Sequence, residues 1–238
     1  MFLRIDENKV VASIDCSKQI ISTHRTEVLC NQSRDVSGLA PCTHEEADTR
    51  IILHLEDAVK EGNTKVSIRA VDTDVGVLAV TSAQRLNNAE VWIAFGNGKC
   101  FHFIAAHEIA GALGPDRCMA LPMFRAFTGC DTVSFFGGRG KRTAWDTWEA
   151  YDDVTLALCS LATTPESVES FIKPLERFVI LLYERTRNLE CVNHARMQLF
   201  TQKGKSMEGI PPTKAALIQH TKRVTYQAGY CWGQVMKG

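Results

Sequence analysis

"KVSIRAVDTDVGVLAVTSAQRL", Lys65 to Leu86, decides the fold. Its first half is a short β-branched run that ends in acids, and its apolar second half reads as a helix. "EVWIAF" (90–95) follows as a second buried strand, and "GNG" (96–98) turns the chain into "KCFHFI" (99–104), an antiparallel or edge strand. Upstream, Ala47, Ile51, Ile52, Leu55, Ala58 and Val59 recur at helical spacing until "EGN" (61–63) stops them. Helix, strand, helix, strand in this rhythm predicts an α/β fold, a mostly parallel sheet whose crossovers are helices.

Beyond Ala105 the pattern is helical: "AHEIAGALG", "DRCMALPMFRAFTG", "KRTAWDTWEAY", "DVTLALCSLA", "PESVESFIKPLERFVILLYERT", "NHARMQLF", and a final helix after Pro212. Residues 1–42 are less regular. "KVVASID" (9–15) and "QIISTHRTEVLC" (19–30) look like strands, and residues 31–42 like a polar loop. Three regions result: an irregular N-terminal segment (1–42), a core (43–151) and a helical extension (152–238).

The 238 residues, 45% of them hydrophobic, suffice for a large core, and no apolar run approaches the roughly 20 residues of a membrane span. The start lacks a signal peptide's pattern, so an intracellular protein is expected. Nine scattered cysteines without a CxxC pair suggest reduced thiols, and "CVNH" with "CFHF" makes a poor zinc site. His107-Glu108 lacks the second His of a zinc protease and reads as a helix start. Net charge is zero, yet from Arg185 onward nine Lys or Arg face two acids, so this tail is +7 and the remainder −7. An acidic body with a basic tail suits metal binding at one end and phosphate contact at the other.

Three acidic sites deserve weight. "THEEADTRI" (43–51) reads as a capping box between Thr43 and Glu46, a structural role, or as half of a metal site. "VDTDV" places Asp72 and Asp74 two apart at the carboxyl end of a strand, where they face the same way and where open α/β sheets bind ligands. The alternative is a solvated turn with Asp74 as N-cap. In "FTGCDTVSFFGGRGKRTAW" (127–145), Asp131 leads into glycines, basic residues and a helix start, a combination that lets a backbone approach phosphate.

Taken in order, Glu46-Ala47-Asp48, Asp72-Thr73-Asp74, Gly129-Cys130-Asp131 and Gly138-Arg139-Gly140-Lys141-Arg142-Thr143-Ala144 resemble the elements of flap endonuclease and xeroderma pigmentosum group G type 5′ nucleases, whose catalytic core is a PIN-like domain. The resemblance covers roughly Ala40 to Tyr151, and the same motifs are also similar, more closely, to a group of uncharacterised animal proteins linked to mobile elements, through which alone it reaches the remaining helices. The resemblance implies a PIN-like sheet with a helix-two-turn-helix, and structure-specific cleavage of branched or flap-bearing DNA in the nucleus. It also implies two Mg²⁺ or Mn²⁺ ions about 4 Å apart on Glu46, Asp48, Asp72, Asp74 and Asp131, with Gly138, Arg139, Gly140, Lys141 and Arg142 on the nucleic-acid backbone.

Two departures stand out. On a regular helix Glu45, not Glu46, shares a face with Asp48, so either could be the ligand. The nucleases also carry an aspartate on a first strand and further helices before the E-A-E element. Asp15 has the local look of that aspartate, but the connection to Thr43 is short. The expectation is a fragment or degenerate copy lacking part of the site, an inactive nucleic-acid-binding remnant being the alternative.

Overall fold

The computed structural model describes residues 17–86, 88–164, 168–185, 188–202 and 206–233. Asp15 and the strand expected at 9–15 lie outside them. The stretch 19–30 folds as a hairpin: β1 (Ile21–His24) pairs antiparallel with β2 (Glu27–Cys30) around Arg25 at φ 53°. Arg34 anchors the loop after it by an ion pair to Asp57 at 2.6 Å on α1 (Ala47–Lys60).

The main sheet has the order β3-β4-β5. β3 (Lys65–Ala70) runs parallel to β4 (Glu90–Phe95), and the apolar helix α2 (Thr73–Ala83) makes the crossover. β5 (His102–Ala105) pairs antiparallel with β4. The sheet is therefore mixed rather than mostly parallel among the described residues, because the six residues between β4 and β5 are too few for a crossover. β3 stops at Ala70, earlier than the β-branched pattern implies. Asp72 and Asp74 thus stand at a helix start, not on a strand face.

α3 (Ala106–Phe127) is broken at Gly114, φ 75°, as its two apolar runs imply. Two four-residue turns, Cys130–Val133 and Phe136–Arg139, then lead into α4 (Lys141–Ala150). α5 (Val154–Thr163), α6 (Ile172–Tyr183), α7 (Val192–Phe200) and α8 (Lys214–Val224) follow, and α8 continues as a π-helix over Thr225–Cys231. No helix among the described residues is long and apolar enough to cross a membrane.

The expected extension shares one continuous core with the α/β part. Leu217, Val224, Ala228 and Trp232 are buried in the same cluster as Ile52, Ile68, Val91 and Phe124. Phe124 stacks on Trp148 with centroids 4.4 Å apart, which places that tryptophan in the core. His220 of α8 donates from Nε2 to the carbonyl of Phe127 at 2.8 Å, fastening the C-terminal helix to the end of α3. The buried Glu176 carboxylate receives Lys214 Nζ at 2.8 Å and the Val192 amide at 3.3 Å, so α6, α7 and α8 meet at one fully engaged charge.

Candidate functional site

The carboxylates reach their site from three chain segments. Glu46 is the N-cap of α1 in extended conformation, φ −119° and ψ 146°, with no side-chain cap bond. The Thr43–Glu46 capping box does not form: Thr49 Oγ1 donates to the Glu46 carbonyl, and the Glu46 side chain turns elsewhere. Asp48 lies in the first helical turn. Asp72, not Asp74, caps α2, its Oδ1 accepting from the Asp74 amide at 2.8 Å. Asp131 sits in the turn after α3. Gly129, at φ 103°, sets that turn, since a Cβ there would stand 2.7 Å from Phe135 Cβ.

Glu46, Asp48, Asp72, Asp74 and Asp131 line one cavity of about 220 Å³. Burial, followed by repulsion from Asp72, Glu46, Asp74 and Asp131, pushes the Asp48 carboxyl up to about 6. Of the two glutamates, Glu46 lines this cavity and Glu45 does not. Glu46 precedes the helix, so helical periodicity does not govern its direction. Glu45 turns away, accepting from Tyr226 Oη at 3.3 Å and Cys231 Sγ at 3.3 Å.

Three side chains with no sequence signal complete the site. Gln227 Nε2 and Trp232 Nε1 donate to the two oxygens of Glu46, each at 2.6 Å, across 181 and 186 residues of chain. Neutral donors of this kind orient a carboxylate without cancelling its charge. Arg125, in the last turn of α3, places Nε 2.7 Å from Asp74 Oδ1, an ion pair whose N–H is not aligned as a hydrogen bond. Asp74 is 5% exposed; burial raises its pKa while Arg125 opposes the rise.

Beside this cavity, and sharing Asp131 with it, runs a groove of about 500 Å³ lined by Arg125, Phe135, Gly138, Arg139, Gly140 and Lys141 among others. Gly140 is the N-cap of α4, so free helix amides adjoin the groove. The Lys141 ammonium folds back onto the end of α3, donating to the Arg125 carbonyl at 2.9 Å, Thr128 Oγ1 at 2.7 Å and the Gly129 carbonyl. Burial and then Arg125 lower it to about 8. The Arg139 guanidinium lies 4.6 Å over the Tyr183 ring. Arg142 is exposed one residue further along α4.

The donor set is all carboxylate oxygen, the chemistry of hard divalent cations. Among the described residues no three His, Cys, Asp or Glu groups already converge as ligands of one ion. Arg125 pairs with Asp74, Gln227 and Trp232 donate to Glu46, and the Asp74 amide donates to Asp72. Compared with protein families, curated proteins and solved structures, the chain matches none.

Proposed function

We propose that the protein is a divalent-metal-dependent nuclease of PIN-like type, hydrolysing phosphodiesters of branched or flap-bearing DNA, with the nucleus as the corresponding location. The observation that carries this reading is the gathering of five carboxylates onto one cavity, where burial and mutual repulsion raise Asp48 to about 6. Such a concentration of negative charge favours either a proton or a shared cation.

Glu46, Asp48, Asp72, Asp74 and Asp131 would hold two Mg²⁺ or Mn²⁺ ions, Glu46 kept in position by Gln227 and Trp232. Bound there, the ions supply an activated water and neutralise charge developing on the leaving oxygen. The chain's own contribution is placement. Arg125, Arg139 and the first amides of α4 flank Asp131, and they favour a phosphate in the neighbouring groove, its backbone held without reading its bases.

The Arg125–Asp74 ion pair favours a second reading, a domain that binds nucleic acid without cutting it. Cleavage of a labelled 5′-flap DNA with Mg²⁺ or Mn²⁺ separates the two. The nuclease reading expects cleavage by the native chain and its loss in an Asp72→Ala, Asp74→Ala double variant. Salt-sensitive binding without cleavage supports the second reading and overturns the first.

A further inference from the structure

We infer that the outer face of α8 and the π-helix is a binding surface for a single strand of nucleic acid, feeding the carboxylate cavity; the inference rests on the nuclease reading for what the strand is brought to. From Thr221 to Cys231 the exposed residues are Lys222, Arg223, Tyr226 and Tyr230, while Thr221, Val224, Thr225, Gln227, Ala228, Gly229 and Cys231 are buried. Core packing therefore does not account for the two tyrosines, which are 55% and 49% exposed. Their rings stand 6.1 Å apart, tilted by 40°.

A second groove, of about 640 Å³, runs along Lys222, Arg223 and Tyr226 and shares Glu46, Thr132 and Gln227 with the carboxylate cavity. The cavity thus adjoins two grooves, through Asp131 on the one lined by Arg125, Arg139 and Lys141, and through Glu46 and Thr132 on the one that carries Lys222 and Arg223 beside Glu45. The bond from Tyr226 Oη to Glu45 holds that half-exposed ring in place. Glu45 repels phosphate, so the backbone falls on the Lys222 and Arg223 side and the bases on the tyrosines. Bases reach such rings only when unpaired, which selects a single strand over a duplex.

The test is fluorescence anisotropy of the full chain with labelled oligo(dT), oligo(U) and a duplex of equal length, in EDTA so that nothing is cut. Binding to a single strand should exceed binding to the duplex, with the two oligomers showing whether DNA or RNA is preferred. Lys222→Glu with Arg223→Glu should weaken binding at least tenfold, and Lys222→Gln with Arg223→Gln should flatten the salt dependence by about 1.4 in log–log slope. Tyr226→Ala and Tyr230→Ala should each lose at least about fivefold, and Tyr226→Phe and Tyr230→Phe should retain affinity. All these positions are exposed, and thermal melting checks that each variant folds. Equal affinity among the variants, or no affinity for either oligomer, would overturn the surface. A flap cut with normal rate by a chain that does not bind oligo(dT) overturns the surface and leaves the nuclease. A strand bound as expected but never cut supports the surface and overturns the nuclease.

Discussion

Glu46 and Trp232 are joined by a 2.6 Å hydrogen bond across almost the whole chain. A donor to a charged group is worth about 1.5–3 kcal/mol, and Glu46 is only half-buried, so Trp232→Phe, which keeps the ring in the core, should cost about 1.5 kcal/mol in urea unfolding. It should also weaken Mn²⁺ binding about tenfold, since Glu46 is then held by Gln227 alone. Lost stability with unchanged Mn²⁺ affinity would make Trp232 a packing residue alone. Asp48 gives the opposite sign. Its carboxyl is raised to about 6 from an ordinary 3.8, so its favourable contribution is full below about 4 and lost as pH rises through about 6. Asp48→Asn, free of that titration, should gain on the native chain in metal-free melts as pH goes from 4 to 7. By pH 7.5 the gain should reach about 1 kcal/mol, or about 2–4 °C. A difference that does not change with pH would mean that neither burial nor the other four carboxylates raises Asp48.

Among the elements, the parts set by local chemistry were legible and the junctions were not. The crossover from β3 through α2 to β4 and the antiparallel β5 follow from apolar runs punctuated by glycine and asparagine. The ends of β3 and the start of α1 do not, because Val71 continues a β-branched run and Thr43 offers a capping signature that the chain leaves unused. Both errors concern where a helix begins, and both move carboxylates: Asp72 becomes the cap of α2, and Glu46 steps out of the helix that would have pointed it away. That Asp131 follows a helix was legible, and Gly129 sets the turn that carries it. With φ at 103° and Phe135 packed against it, Gly129→Ala should cost about 2 kcal/mol and displace Asp131. Chemical-shift changes spreading from the 128–136 turn would report the displacement; an alanine variant with native stability and unmoved Asp131 resonances would contradict it.

At the scale of the whole molecule the carboxylate cavity is closed by segments far apart in the chain. Glu46 enters from one side and Gln227 and Trp232 from the other, so Glu46 is oriented only when the helical C-terminal part packs on the α/β part. No periodicity or spacing links residues that far apart, which is why the sequence exposes the five acids but not the side chains that orient them. Arg125 was hidden for the same reason, an ordinary basic residue near a helix end until α2 is placed beside it. The most direct test of the central claim is titration of the purified chain with Mn²⁺ at pH 7.5, following free Mn²⁺ by electron paramagnetic resonance. The account predicts two ions bound per native chain and none by an Asp72→Asn, Asp74→Asn variant that still folds. Native chain that leaves all Mn²⁺ free, or a variant that binds as the native chain does, would contradict it.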